Sequence, residues 1–181
     1  MSERLGIVVD ASVVRGAGAS SVAASACMDC LGEIQKRCVV VMSREIEWEW
    51  MHTTESSPEG MATNMSQYAA LWYSSMRSQR RVRWVSSKQH CDVCRELSCL
   101  CDPSFIVKLQ QDFHLVDAAL ESDRRVVSRD KKMRRALERA CTTVTAIRHI
   151  AWVVPPDHDA ASWIASGALL GPPFCLDLGT D

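Results

Sequence analysis

The chain has 181 residues, 47% of them hydrophobic and 24% charged, and its net charge is −1. This composition excludes wholesale disorder, and the length suits one domain that can bury a real core. A near-neutral chain also excludes a uniformly basic surface for nucleic acid, although its arginines and lysines form two clusters, at 77–83 and 124–135. Such clusters are typical of solvated helix faces.

The sequence also indicates where the protein acts. No run approaches the roughly 18 apolar residues of a membrane span, and the N-terminus lacks the pattern of a signal peptide. We therefore expect no membrane association and a cytoplasmic location. The nine cysteines are then expected to be reduced thiols, and their odd number agrees with this expectation.

Apolar runs and helical spacing alternate along the first half of the chain. They predict, in order, a strand at 5–10, a helix at 22–36, a strand at 38–43, a helix from 44 and a helix at 62–79. Residues 11–21 are small, and they predict a loop in which Ser20 or Ser21 caps the following helix. Ser43 is expected to cap the helix that begins at 44.

The second half of the chain continues this alternation. It predicts, in order, a strand or helix end at 82–87, a helix at 112–121, a strand at 125–130, a helix at 131–140, a strand at 149–156 and a helix at 157–168. Strands that alternate with helices predict an α/β fold with a mostly parallel sheet in a single domain, 1–181. Its core is expected at about 5–150, with a C-terminal strand and helix extension at about 149–170.

Acidic side chains recur where the predicted elements meet one edge of the sheet. Asp10 ends the first strand, Asp130 ends the strand at 125–130, and Asp112 is expected to open the helix before that strand. The helix after the second strand carries three more carboxylates, Glu45, Glu47 and Glu49. Ligands of parallel sheets gather beyond the carboxyl ends of the strands, and grouped carboxylates repel one another unless a cation joins them. Mg²⁺ or Mn²⁺ suits such oxygen ligands better than zinc does.

These residues resemble the motifs of the PIN domain, a metal-dependent ribonuclease fold found in toxin–antitoxin pairs and RNA-processing factors. The segment VVDASVV matches the opening motif at Asp10, DFHLVDAAL matches the third motif at Asp112, and VVSRD matches the fourth at Asp130. Glu49 is the best match for the second acid, and the other two glutamates of its helix compete with it. The resemblance covers roughly residues 5–140 and implies a PIN-like three-layer α/β/α fold with a mostly parallel central sheet.

The resemblance implies a site that hydrolyses RNA phosphodiester bonds. Its catalytic and metal-binding carboxylates are expected to be Asp10, Glu49, Asp112 and Asp130, holding one or two Mg²⁺ or Mn²⁺ ions. Either Asp112 or Glu49 would take the proton of the attacking water. Ser12, Ser128 and Asp117 are expected to support the acids. Asp117 lies about 140° around a helix from Asp112, so facing the surface is its alternative.

RNA is the partner that the resemblance implies. Contacts to its backbone are expected from Arg129, Lys131, Lys132, Arg80 and Arg81. Single-stranded RNA is favoured because its backbone can bend into a shallow acidic site. A toxin of this family would pair with an antitoxin protein, and a homodimer is an open alternative. The competing interpretation is a catalytically inert PIN-like module that binds RNA or protein; a phospho-acceptor domain is disfavoured because no paired acid flanks Asp10.

Two further residue types carry weaker signals. Four cysteines, Cys91, Cys94, Cys99 and Cys101, have partly zinc-like spacing, but the chain uses cysteine freely elsewhere. We therefore favour small buried hydrophobic side chains on a helix over a zinc site. The six tryptophans are spread widely and are expected to pack in the core. His114 is expected to be structural.

Overall fold

Five parallel strands form the centre of the structure, a computed structural model that describes residues 4–18, 20–52 and 65–177. The strands are β1 (Gly6–Val9), β2 (Val39–Met42), β3 (Val82–Trp84), β4 (Arg125–Val127) and β5 (Ala151–Val153). Their order in the sheet is β3-β2-β1-β4-β5, so β1 lies in the middle. Val8 of β1 lies opposite Val41 of β2 and Val126 of β4.

Helices flank this sheet and bury its inner strands, whereas the edge strand β3 is partly exposed. They are α1 (Ala11–Gly16), α2 (Val22–Arg37), α3 (Arg44–Met51), α4 (Gln67–Ser78), α5 (Cys91–Leu100), α6 (Pro103–Leu120), α7 (Lys131–Ala140) and α8 (Ala160–Ala165), with a 3-10 turn at Thr145–Ile147. Helix α6 packs on β1, β2 and β4, whereas α2 packs against α4 and α8. Covered parallel strands carry nearly continuous apolar runs, as β1 and β2 do. The predicted α/β fold, with helices flanking a parallel central sheet, is confirmed.

Side-chain caps set the starts of the helices that follow β1 and β2. The hydroxyl of Ser21 accepts a hydrogen bond from the backbone N–H of Ala24, and the hydroxyl of Ser43 accepts one from Ile46. Each bond satisfies an amide that has no partner within the first turn of its helix. The cap predicted at Ser43 is confirmed, and Ser21 is the residue that caps α2.

Two predicted boundaries are wrong, and a local cap explains each. The predicted loop at 11–21 begins with the short helix α1, because Asp10 caps it through the N–H of Ser12. The helix predicted to begin at Asp112 begins at Pro103 instead. There the Asp102 carboxylate accepts from the N–H of Ser104, and proline suits the first helical position. Asp112 therefore lies inside α6 and does not open it.

The segments left open by the sequence also take definite forms. The ambiguous segment at 82–87 contains strand β3, and the cysteine-rich segment 88–102 contains helix α5. The helix predicted at 62–79 is observed from Gln67, and its predicted residues 62–64 lie outside the described part of the chain.

The C-terminal extension completes the sheet. Strand β5 pairs with β4, and α8 packs on α2. Among the described residues, no helix is long and apolar enough to cross a membrane.

Candidate functional site

Asp10 leaves β1 at its carboxyl end and is almost completely buried, with 8% of its surface exposed. Its Oδ2 accepts hydrogen bonds from Ser12 Oγ at 2.6 Å and from Ser128 Oγ at 2.5 Å. Burial raises the pKa of Asp10, the two hydroxyls lower it, and the nearby Glu49 carboxylate raises it again, with a net upward shift. Ser128 also accepts from the N–H of Asp130, so the ends of β1 and β4 are tied together.

The carboxylates of Asp112 and Asp130 both contact the ammonium of Lys108. Lys108 Nζ lies 2.7 Å from Asp112 Oδ2 and 2.6 Å from Asp130 Oδ2. Asp130 also caps α7, accepting from the N–H of Met133 at 2.8 Å. Burial alone would raise the pKa of Asp130, but its hydrogen bonds from Lys108 and the Met133 amide bring the net shift downward. The ammonium thus neutralises the repulsion between two of the predicted metal ligands.

Glu49 is the glutamate of α3 that faces the other acids. It lines the same cleft as Asp10, and its Oε2 lies 3.1 Å from Nε2 of His114. The other two glutamates do not line this cleft: Glu47 accepts from the hydroxyl of Tyr73 at 3.0 Å, and Glu45 lines two other cavities. The ambiguity among the three is therefore settled by the direction each takes on the helix. Burial lowers the pKa of His114, but the Glu49 carboxylate and the Gln111 carbonyl more than offset this, so the net shift is upward.

All four predicted acids line one open cleft of about 500 Å³ at the carboxyl edge of the sheet. Its cations are Arg15, Lys108, Arg129 and Lys131. The four acids and the four basic side chains therefore face one open, polar space.

The donor chemistry of this cleft fits Mg²⁺ or Mn²⁺, since four carboxylates supply the oxygen ligands that these ions prefer. The positions of these side chains, however, do not form a metal site. In the described part of the chain, no group of three or more acidic, histidine or cysteine side chains is placed so that it could hold a metal ion. Lys108 occupies the position between Asp112 and Asp130 that a cation would need.

Comparisons of the chain with protein-family models, with curated proteins and with solved structures found no match. The resemblance to PIN domains therefore rests on the four acids and their sequence context. The geometry of the cleft has to carry the functional argument by itself.

Asp117, predicted to support the acids or to face the surface, does something else. It is 1% exposed, so the surface alternative is wrong. Its carboxylate accepts from the backbone N–H groups of Lys88, Gln89 and His90, and Oδ1 lies 2.8 Å from His90 Nδ1. These bonds anchor the segment that leads into α5, and none of them reaches the four acids.

The basic residues predicted to bind RNA fall into two places. Arg129 and Lys131 line the cleft, and Lys132 follows them on α7. Arg80 and Arg81 precede the start of β3, at the amino ends of the parallel strands, so they lie at the edge opposite the acids. The guanidinium of Arg81 donates to the carbonyl of Gln35. The expectation that these two arginines serve the same site is wrong.

The cysteine and tryptophan expectations hold only in part. All nine cysteines are free thiols; Cys94 and Cys101 are partly buried, but Cys91 and Cys99 are exposed and do not fill the core. Trp84 and Trp48 are also exposed, at 52% and 58%. Trp48 lines a second cavity of about 560 Å³, which shares Glu49 and Asp112 with the acidic cleft.

Lys108 is the site residue that sequence reasoning missed. Lysine and aspartate four residues apart on a helix form neighbouring side chains, and the pair Lys108–Asp112 has this spacing. The predicted helix begins only at Asp112, so the sequence analysis does not place Lys108 on the same helix. Had the Asp-Pro-Ser cap at 102–104 been recognised, the pair would have been visible.

Proposed function

We propose that this chain is a metal-dependent endoribonuclease of the PIN-like kind. The observation that supports the proposal is the convergence of Asp10, Glu49, Asp112 and Asp130 on one cleft beyond the strand ends. They come from β1, α3, α6 and the start of α7, which are far apart in sequence. Ligand sites of open parallel sheets form at this edge.

In this proposal the four carboxylates would hold one or two Mg²⁺ or Mn²⁺ ions. When bound, such an ion lowers the pKa of a water ligand and offsets negative charge on the phosphoryl group. The chain's own residues supply the rest. Ser12 and Ser128 fix the orientation of the Asp10 carboxylate, and Arg129 and Lys131 face the cleft where the phosphate backbone would lie.

Single-stranded RNA is the substrate class that we favour. The cleft is open, and the exposed Trp48 stands beside Glu49 and Asp112. Aromatic side chains stack on unpaired bases without strong sequence preference. We further propose that the enzyme acts in the cytoplasm as the toxin of a toxin–antitoxin pair, with an antitoxin protein or a second copy of the chain covering the acidic edge.

The second candidate is a catalytically inert PIN-like module that binds RNA or protein. Lys108 favours it, because the ammonium already offsets part of the negative charge of Asp112 and Asp130. In the nuclease proposal, the entering ion has to displace this ammonium from the two carboxylates. The two candidates therefore differ in whether the cleft takes up a divalent ion.

Cleavage of an unstructured RNA with Mg²⁺ or Mn²⁺ tests the nuclease proposal. We expect native protein to cleave and Asp112→Asn to lose at least about a hundredfold in rate, the contribution typical of a positioned catalytic carboxylate. Asp29→Asn, a change of the same kind on the exposed side of α2, serves as the matched control and should cleave normally.

The remaining outcomes separate the candidates. Absence of cleavage together with absence of Mn²⁺ binding by calorimetry would favour the inert module. Absence of cleavage with Mn²⁺ still bound, and with binding weakened by Asp112→Asn, would indicate a selective RNA target.

A further inference from the structure

A groove of about 780 Å³ runs between α7 and the junction of α5 with α6. From α7 it is lined by Lys132, Arg135 and Arg139, which are all exposed. These residues are three and four positions apart, so their side chains lie along one face of the helix. The junction contributes Leu100 and Phe105 as apolar walls.

The three cations have no ion-pair partner within the described part of the chain, unlike their neighbours on the same helix. Lys131 pairs with Asp157, and Arg134 pairs with Glu138. The groove holds one carboxylate, Asp102, whose Oδ1 already accepts from the N–H and hydroxyl of Ser104. Like charges four residues apart destabilise a helix, so the arrangement costs α7 stability unless an anion lies over it.

The groove adjoins the acidic cleft, since neighbouring residues on two helices line the one and the other. On α7, Lys131 lines the cleft and the next residue, Lys132, lines the groove. On α6, Lys108 lines the cleft, and Phe105, one turn earlier, lines the groove. A polymer held in the groove would therefore lie next to the cleft that holds the four acids.

We propose that this groove binds the single-stranded RNA that flanks the phosphate held in the cleft. Lys132, Arg135 and Arg139 contact backbone phosphates along about 10 Å of helix, and Phe105 offers an apolar surface to a base. The choice of RNA rests on the proposed function, whereas the requirement for a linear polyanion rests on the row of unpaired cations.

Binding of a labelled, unstructured RNA of roughly 12 nucleotides, followed by fluorescence anisotropy in EDTA, tests this proposal without cleavage. Salt is varied between about 50 and 200 mM. We expect Arg135→Ala/Arg139→Ala to weaken binding at least about tenfold and to flatten the salt slope by about 1.4, from about 0.7 for each lost phosphate contact. The control is Lys36→Ala/Arg37→Ala, which removes the same charge from the exposed end of α2 and should leave affinity and slope unchanged.

Unchanged affinity and slope in Arg135→Ala/Arg139→Ala would overturn the proposal, as would absence of RNA binding by the native protein. It would also fail if polyglutamate of equal charge bound as tightly as RNA, since the groove would then suit an acidic protein. Circular dichroism confirms folding of the variants, and Lys132→Ala provides a milder second test. If the native protein cleaves RNA but Arg135→Ala/Arg139→Ala binds RNA as tightly as the native protein does, the groove proposal fails and the nuclease proposal stands. If the double variant loses RNA affinity but the native protein does not cleave, the groove proposal stands and the nuclease proposal fails.

Discussion

Lys108 supplies the counter-charge that lets Asp112 and Asp130 lie close together in the cleft. Partial burial lowers the pKa of its ammonium, but the hydrogen bonds that it donates to Asp112 and Asp130 raise the pKa by more, so the net shift is upward and the side chain stays charged. A charged amine within 2.7 Å of both carboxylates supplies part of what a divalent ion would supply. In the nuclease proposal, Lys108 and the divalent ion would therefore compete for the same oxygens.

Lys108→Met should strengthen Mn²⁺ binding severalfold and, in EDTA, lower the melting temperature, because the acids then repel each other without a counter-charge. Calorimetric titration and thermal unfolding measure the two effects. Lys36→Met is the control, since its ammonium pairs with Glu33 near the end of α2 and lies outside the cleft. Equal Mn²⁺ affinity in the native protein and in Lys108→Met would show that the lysine does not occupy the ion's place.

At the scale of elements, α6 has two separate tasks. Lys108 and Asp112, one turn apart, present polar groups to the acidic cleft. Asp117 lies further along the helix, away from the cleft. It accepts hydrogen bonds from backbone N–H groups of the segment that precedes α5. The helix therefore connects the cleft to the segment that precedes α5.

Asp117→Ala should lower the free energy of unfolding by about 3 kcal/mol, because it leaves several amides and the His90 ring without their acceptor in a buried place. Urea unfolding measures this loss. Asp92→Ala, on the exposed first turn of α5, should cost no more than about 0.5 kcal/mol. A similar small cost for both variants would mean that the carboxylate does not hold this segment.

At the scale of the whole molecule, buried polar side chains join the C-terminal extension to the core. Arg134 of α7 donates to the carbonyl of Trp152 in β5 and to that of Pro173, at 2.8 Å for the latter. His158 Nδ1 accepts from the N–H of Val154 at 2.9 Å and lies 3.3 Å from Arg134. Nδ1 can accept only when it carries no proton, so this connection requires neutral His158.

Acid should therefore loosen this connection. Burial, and then the Arg134 charge, lower the pKa of His158 despite the opposing carboxylates of Asp157 and Glu138. As the pH falls, His158 of the unfolded chain is protonated first, near its ordinary pKa of about 6.5. The free energy of unfolding therefore decreases between this pH and the lower pKa of the folded state, and it does not decrease further below that pKa. His158→Asn keeps an acceptor but does not titrate.

Urea unfolding of both proteins between about pH 7.5 and 5.5 checks this. The native protein should lose more stability over this interval than His158→Asn does. Parallel losses in the two proteins would contradict the prediction and assign the acid response to other groups.

The sequence by itself determined the alternation of strands and helices, the parallel sheet and the strand-end positions of Asp10 and Asp130. These follow from apolar runs and helical spacing, which are local patterns. It also identified Ser43 as a cap, since capping joins residues three positions apart. The apolar pattern predicts that α6 begins at Asp112. The cap at Asp102 instead starts the helix at Pro103.

Only the tertiary structure decided which side chains share a space. Glu49 was separated from Glu45 and Glu47 by the direction each takes from α3, and Arg80 and Arg81 were placed at the opposite edge of the sheet. Lys108 reaches the cleft because α6 begins at Pro103, nine residues before the start that the sequence predicts, and so includes this residue. Such neighbours are set by packing between distant segments, for which a single sequence carries no periodic signal.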